Sequence, residues 1–487
     1  MAGKIVCPHC WHVFQVEKIL AIAQHTDLLG DPVLGDNAPQ RFLPSRFTPD
    51  GRALDAYGVP CPDFACPQCH LVIPRTLTQK PPLFFSIIGA PASGKSYLLT
   101  AMTWELRRLM PREFGFAFGD ADASSNAIVN EYERTLFMNA DDEGWTTLEK
   151  TEMQGRMYDR VRLHNMDVWL PRPLLFSLSP QPNHPQYTRS ASQLTQTLVV
   201  YDNAGEAFQP DRDTAANPGT RHLARSNGMF FLFDPTKDPR FRAECQSGDP
   251  QTGDGAQVEQ QEILLSEAIS RVKRHSDSSL SQRLDRPLIV VVTKYDVWRS
   301  LLGYSLPNPW RKLSSLATAA LDLDAVGAVS FAVRQLLMRF CPQIVATAES
   351  FSSQVSYLPG SAIGHSPTAF RRLVKLPGKD KKEQKTFLLV RPRDIQPIWA
   401  PVPVVQMLAH FGLVPVLTHK RTEEHPKVKS LRLSGNSVIF NIPGTNRRLE
   451  VPSAYLGRLL RCVETGKLFW LPSAEEIDAA ARRLRGQ

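Results

Sequence analysis

The stretch GAPASGKS, residues 89–96, decides the fold. It follows the apolar run LFFSII and opens KSYLLTAMTWELRRL (95–109), a leucine-rich segment of helical character. A continuous apolar run of that length predicts a parallel strand buried on both faces. A glycine–lysine–serine corner between strand and helix matches G-x-x-x-x-G-K-[ST]. Glycines let backbone N–H groups curl round a phosphate with no Cβ in the way. The helix that follows turns its positive end towards the same anion. Gly89, Ser93, Gly94, Lys95, Ser96 and Tyr97 are therefore the candidate phosphate-side residues. Lys95 would neutralise the β- and γ-phosphates and Ser96 would offer its hydroxyl to Mg2+. A mere tight turn is the bland alternative, and the strand before and helix after argue against it.

Outward from this corner, strands alternate with helices. Apolar runs at 168–179, 196–202, 228–234, 286–296 and 352–364 read as strands, and 257–274 and 326–340 as amphipathic helices. Such alternation predicts an α/β fold, a doubly wound, mostly parallel sheet. Three segments then fall at the carboxyl ends of strands, the edge where ligands bind in open α/β sheets. LVVYDNAGE (198–206) ends a strand on Asp202, with Gly205 three residues on. In P-loop proteins an Asp so placed sits beside Mg2+ and the Gly amide can meet the γ-phosphate. TKYD (293–296) supplies Thr293, Lys294 and Asp296. A carboxylate at Asp296 can accept two hydrogen bonds from the N1–H and exocyclic amine of guanine, a pair that adenine lacks. SAIG (361–364) offers a backbone amide, from Ser361 or Ala362, to the guanine O6.

In order and spacing, GAPASGKS, DNAG, TKYD and SAIG resemble the translation-factor-related (TRAFAC) class of P-loop GTPases, over roughly residues 83–365. The resemblance implies a GTP-dependent switch that binds GTP/GDP and Mg2+. It puts Lys95, Ser96, Asp202, Gly205, Lys294 and Asp296 in the family roles. Thr293 stands where the family pattern has Asn. Glu206 follows Gly205 where small GTPases carry a water-positioning Gln. It is the candidate to orient the water beside Lys95, with slow, partner-dependent hydrolysis or a plain solvent-facing Glu as the other readings. Thr151 in LEKTE is the candidate Mg2+-binding switch threonine. The nucleotide-binding unit, 81–417, is long for such a domain. Its excess around 111–165, 206–227 and 240–285 is expected to shape partner contacts.

The eight cysteines include two CxxC pairs, Cys7/Cys10 and Cys66/Cys69, each with Pro after its first Cys. Four thiolates so spaced can close a tetrahedral structural Zn2+ site. Cys61, His9, His12 and His70 are weaker ligand candidates, and redox or free thiols the alternative. Cys245, Cys341 and Cys462 read as packed hydrophobes. Residues 1–80 thus form a zinc ribbon with an insertion, ending at the linker QKPP (79–82). Trp11, His12 and Phe14 invite either base stacking or an apolar knuckle core, and the second is the expectation.

Hydrophobic residues make up 42% of the 487, charged residues 22%, and the net charge is +9. That field permits anionic partners and is too thin to require nucleic acid. MAGKIVCPHC lacks an apolar signal core, and 395–417 is apolar yet broken by four prolines, so no membrane span and a cytoplasmic chain are expected. KLPGKDKKEQK (375–385) reads as a charged loop, and 418–487 as a small region of β-hairpins with a terminal helix. Zinc knuckles joined to an insertion-rich G domain with DNAGE resemble bacterial double-GTPase proteins of conflict or defence operons. That implies a protein partner, a second GTPase, with a homodimer also open. Two other classes stay open: an ATP-hydrolysing P-loop enzyme, and a hydrolysis-deficient scaffold that uses the ribbon to bind partners.

Overall fold

The computed structural model describes residues 4–148, 157–202, 221–253, 258–275, 283–312, 317–375, 382–417, 425–445, 447–462 and 468–484. Its centre is a mixed seven-stranded sheet. In chain order the strands are β1 (Leu83–Gly89), β2 (Phe116–Asp120), β3 (Leu174–Pro180), β4 (Gln196–Asp202), β5 (Gly228–Phe233), β6 (Leu288–Val292) and β7 (Val355–Pro359). They lie in the order β2-β3-β4-β1-β5-β6-β7. From β4 to β7 every pairing is parallel, while β2 and β3 run antiparallel at one edge. The parallel strands are the apolar runs of the sequence: all five residues of LIVVV in β6 are buried. Strand β1 sits in the middle, with β4 on one side and β5 on the other, so the loops after all three open at one edge.

Alternate residues of β4 face opposite layers, as strand geometry demands. Leu198 and Val200 join the main core with helices α1 (Lys95–Leu109), α3 (Gln261–His275), α4 (Leu323–Phe340), α5 (Pro342–Phe351) and α6 (Val402–His410). Val199 and Tyr201 join a second core with Ile5, Trp11, Phe14 and Ile73 of the N-terminal unit. The N-terminal segment with its cysteines therefore covers part of one sheet face. A helix of the apolar stretch 395–417 is α6, whose Val402, Val405, Met407 and Leu408 are buried. Among the described residues, no helix is long and apolar enough to cross a membrane.

Three expectations change. The run 168–179 is two strands, Met166–Pro171 and β3, because Pro173 interrupts the ladder; the first leg pairs with Tyr158–Leu163. The charged loop 375–385 is strand at both ends: Thr368–Lys375 pairs with Lys382–Leu389, and 376–381 lie outside the described residues. Charge disfavours burial but does not prevent ladder pairing. The insertion at 111–165 is also more than loop: it holds strand β2, which extends the sheet beside β3, and helix α2 (Ala127–Phe137).

Beyond Leu417 come two small sheets, with strands Leu431–Ser434, Ser437–Asn441 and Arg448–Pro452 in one and Leu459–Arg461 and Leu468–Trp470 in the other. Their core, with Val438, Phe440 and Phe469, includes Phe331 of α4. The last helix, Ala474–Leu484, starts with a reciprocal cap. Ser473 Oγ accepts from Glu476 N at 3.3 Å, and Glu476 Oε2 accepts from Ser473 N at 2.9 Å.

Candidate functional site

Strand β1 leaves the sheet at Gly89. A Cβ there would sit 3.0 Å from Leu232 Cβ and 3.1 Å from Ser93 Oγ, so β5 and the returning loop both close on the glycine. Ala92 (φ +54°) and Gly94 (φ +85°) then turn the backbone left-handed before α1 begins at Lys95. Lys95 Nζ donates to Gly89 O and Ala90 O, both at 2.9 Å, and so lies back across the loop it follows. Ser93 Oγ is buried without a hydrogen-bond partner among the described residues. Ser96 occupies the first turn of α1, where its carbonyl accepts from Thr100 Oγ1 at 2.7 Å. Tyr97 fastens a neighbouring segment: its hydroxyl pairs with Thr147 Oγ1 at 3.1 Å and accepts from Leu148 N at 3.0 Å.

Asp202 ends β4 directly beside Ile87 of β1. It is 7% exposed, and its Oδ1 has no hydrogen-bond partner among the described residues. Burial pushes its carboxyl up to about 6, with the Lys95 charge pulling the other way. A buried carboxylate with an orphaned oxygen next to a lysine suits a cation between them and the solvent. Gly205, Glu206 and Thr151 lie outside the described residues.

The loop after β6 holds the other half of the site. Thr293 Oγ1 reaches Ser93 O at 3.3 Å and Phe233 O at 3.2 Å, so its hydroxyl ties this loop to the phosphate corner and to β5. Lys294 takes a left-handed conformation (φ +54°). Its Nζ pairs with Asp234 Oδ2 at 2.7 Å and donates to Thr236 Oγ1 at 3.0 Å, which stretches its stem across the loop. Asp296 is 5% exposed. Its Oδ1 accepts from Ser361 Oγ at 2.5 Å and its Oδ2 from Gln251 Nε2 at 3.0 Å. Burial raises its pKa, and these two donors oppose the rise.

Ser361 Oγ also accepts from Gly364 N at 2.8 Å, and the Ser361 amide donates to Ile398 O at 3.0 Å. Of the two amides named from the sequence, that of Ser361 is therefore engaged, and the other belongs to Ala362, which lines the cavity at this site. Gly364 cannot be another residue: with φ +78°, a Cβ would fall 1.9 Å from Gln396 O. A cavity of about 380 Å3 joins these parts. Its lining includes Gly94, Tyr97, Thr293, Asp296, Ser361 and Ala362. The structure therefore brings together the residues named from GAPASGKS, TKYD and SAIG, with Asp202 beside the phosphate corner. It adds Gln251 and the hairpin residues Thr386 and Leu388, which the sequence did not point to.

The four cysteines meet. Sγ atoms of Cys7, Cys10, Cys66 and Cys69 all lie within 4.8 Å of one another, with Cys7–Cys69 and Cys10–Cys66 at 3.7 Å. The knuckles are built alike. Trp11 N bonds Cys7 O at 3.1 Å and His70 N bonds Cys66 O at 3.0 Å, and both donors take φ near +60°. Amides of His9 and Gln68 point at Cys7 and Cys66 sulfurs, each at 3.4 Å. Thiols this close repel once ionised unless a cation joins them, so the donor set fits a tetrahedral Zn2+. The other candidates are elsewhere. Cys61 packs with Ala21 and Ala53, His9 Nε2 bonds Val72 O at 3.0 Å, His12 stacks on Phe14, and His70 pairs with Asp31 at 2.7 Å. Trp11 and Phe14 are core residues, as the apolar reading expects, and Cys341 and Cys462 are buried.

In class, then, this is an α/β protein with a glycine-containing loop between β1 and α1, a cavity lined by a buried carboxylate and a four-cysteine cluster that could hold a metal ion. No protein-family model matches the chain. It is similar to a protein of Mycolicibacterium smegmatis named "Putative ESX-1 scaffolding and assembly protein SaeC", at 23% identity over 348 residues, 66% of this chain and 78% of that one. Among solved structures, the signal recognition particle receptor SRb-GTP/SRX complex from Chaetomium thermophilum aligns over 59% of this chain and 94% of its own, at 13% identity and TM-score 0.25. Sup35 complexed with GDP aligns over 57% and 37%, at 9% identity and TM-score 0.21. At such scores the strand order and side-chain geometry, not the alignments, define the site.

Proposed function

We propose that the chain is a guanine-nucleotide-binding protein, a Mg2+-dependent GTPase switch of the TRAFAC class that carries a structural Zn2+ ribbon. The observation that supports this most is the buried Asp296 carboxylate in a cavity of about 380 Å3 that runs on to the phosphate corner. A carboxylate there recognises the N1–H and amine edge of guanine, and the Ala362 amide would meet O6. The Lys294 stem would lie along the base. Lys95 would exchange its two loop carbonyls for phosphate oxygens, and Ser93 Oγ would gain a partner. Ser96 and Asp202 would hold Mg2+, a fit supported by the orphaned Asp202 Oδ1. Mg2+ would offset charge on the transferring phosphoryl group. In the same reading Gly205 donates its amide to the γ-phosphate, Glu206 orients the attacking water and Thr151 joins the Mg2+ site in the GTP state. A protein partner, a second GTPase or a second copy of this chain would read that state, and conflict or defence systems are the proposed setting.

The test is the melting temperature with Mg2+ and GTP, GDP or ATP, on the wild-type chain and on Asp296→Asn. GTP and GDP at a hundredfold excess over Kd should stabilise the wild-type chain by about 2.7 kcal/mol. ATP should not, and Asp296→Asn should lose the effect. Equal stabilisation by ATP would make this an ATP-using P-loop enzyme. The M. smegmatis relative is named a putative scaffolding and assembly protein, which favours a second reading, a scaffold. In that reading nucleotide would be bound and not turned over. Stabilisation by GTP with no phosphate release, with or without partners, would select it.

A further inference from the structure

We propose that Gln251 is a built-in stand-in for guanine: without nucleotide its side-chain amide holds the place on Asp296 that the base's N–H donors take, so binding must displace the turn that carries it. This rests on the guanine reading of the cavity. Asp296 needs donors whether or not a base is present, because an unpaired buried carboxylate is costly. Ser361 supplies one to Oδ1, and Gln251 Nε2 supplies the other to Oδ2 at 3.0 Å. A planar carboxamide NH2 can donate to a carboxylate as the exocyclic amine of guanine does. Gln251 lines the same cavity as the phosphate corner.

The turn is built for the task. Pro250–Thr252 forms a single turn capped by Asp249, whose Oδ1 accepts from Gln251 N at 2.8 Å. Thr252 Oγ1 bonds Asp249 O at 2.9 Å. Asp249 Oδ2 accepts from Ser366 Oγ, two residues past Gly364, so the turn is latched to the SAIG loop. Asp249 is itself only 5% exposed. An arriving base would bring its N–H donors to Asp296 in place of the Gln251 amide, and the turn, held then through Asp249, would shift to let the side chain leave. The displaced turn then reports base occupancy separately from any signal of the γ-phosphate.

The experiment is a titration of fluorescently labelled GDP, with labelled ADP as control, into the full chain, Gln251→Ala and Ser366→Ala. Gln251→Ala should bind GDP roughly three- to tenfold more tightly, since its competing hydrogen bond is gone. Ser366→Ala, which unlatches the turn without touching Asp296, should move the same way, and ADP should be unaffected. Unchanged or weaker GDP binding in both variants overturns the proposal, weaker binding making Gln251 a reader of the base instead. If GDP binds neither the wild-type chain nor the variants, the guanine reading itself has failed and the proposal falls with it.

Discussion

At the scale of single residues, Thr293 shows how a departure from a family pattern is absorbed. The family pattern that the chain resembles has Asn at this place, and a threonine lacks that side-chain amide. The threonine hydroxyl instead spans Ser93 O and Phe233 O, linking the loop after β6 to the phosphate corner and the end of β5. Trp298 Nε1 completes the staple by donating to Thr293 O at 2.9 Å. Thr293→Val keeps the shape and removes the hydroxyl. Two buried carbonyls then lose a shared donor, which should lower unfolding free energy by about 1 kcal/mol in urea titration. Guanine-nucleotide affinity should fall in parallel, because Asp296 and Ser93 are no longer held in one frame. A variant with wild-type stability and affinity would mean that the hydroxyl only fills space.

At the scale of elements, α1 must be held still if its first turn is to face a phosphate. Arg107, on its last turn, does this. Its Nε bonds Glu133 Oε2 of α2 at 3.0 Å, and its Nη2 bonds Asp120 Oδ1 of β2 at 2.6 Å and Asn130 Oδ1 at 3.0 Å. Thr103 Oγ1 adds a bond to Glu133 Oε1 at 2.7 Å. Arg107→Ala strands Glu133, which is 5% exposed, and should cost about 3 kcal/mol. Burial pushes the Asp120 carboxyl up, but donors from Asn126, Arg107 and Asn130 outweigh it and hold its pKa below the usual 3.8. A carboxyl with a depressed folded pKa adds stability above its unfolded pKa and loses it as pH falls through the folded one. Asp120→Asn should therefore be less stable than wild type at pH 7, and the gap should close as pH drops below 3.8. A gap independent of pH would mean that charge plays no part.

The same elements show what was legible in the sequence. Continuous apolar runs such as LIVVV identify the parallel strands, because burial on both faces leaves no room for polar residues. The phosphate corner, TKYD, SAIG and the cysteine pairs are local motifs, so their residues could be named in advance. FAFGD in β2 is too short and mixed to stand out. Gln251 could not be found, because nothing in DPQT encodes a contact with a carboxylate 45 residues further on.

At the scale of the whole molecule, the N-terminal segment proposed as a zinc ribbon is part of the sheet's support. Trp11 Nε1 donates to Tyr201 OH at 3.0 Å, and Tyr201 OH donates to Pro8 O at 2.6 Å. Tyr201 is fully buried, stacks on His222 at 4.3 Å and immediately precedes Asp202. His222 Nδ1 in turn meets Ser86 Oγ of β1 at 2.6 Å. The first cysteine knuckle thus grips the strand that delivers the proposed Mg2+ carboxylate. Metal removal frees Pro8 and Trp11 and leaves the Tyr201 hydroxyl buried without partners, a cost of about 1–3 kcal/mol. Two changes separate metal from packing. Chelation, or Cys66→Ser, should lower the melting temperature and weaken Mg2+-dependent guanine-nucleotide binding together. Trp11→Phe keeps an aromatic ring and the cysteines, so metal content should match wild type while stability falls by about 1 kcal/mol. Nucleotide affinity indifferent to metal removal would reduce the ribbon to a passive cover, since a grip on Tyr201 that mattered would be felt at Asp202.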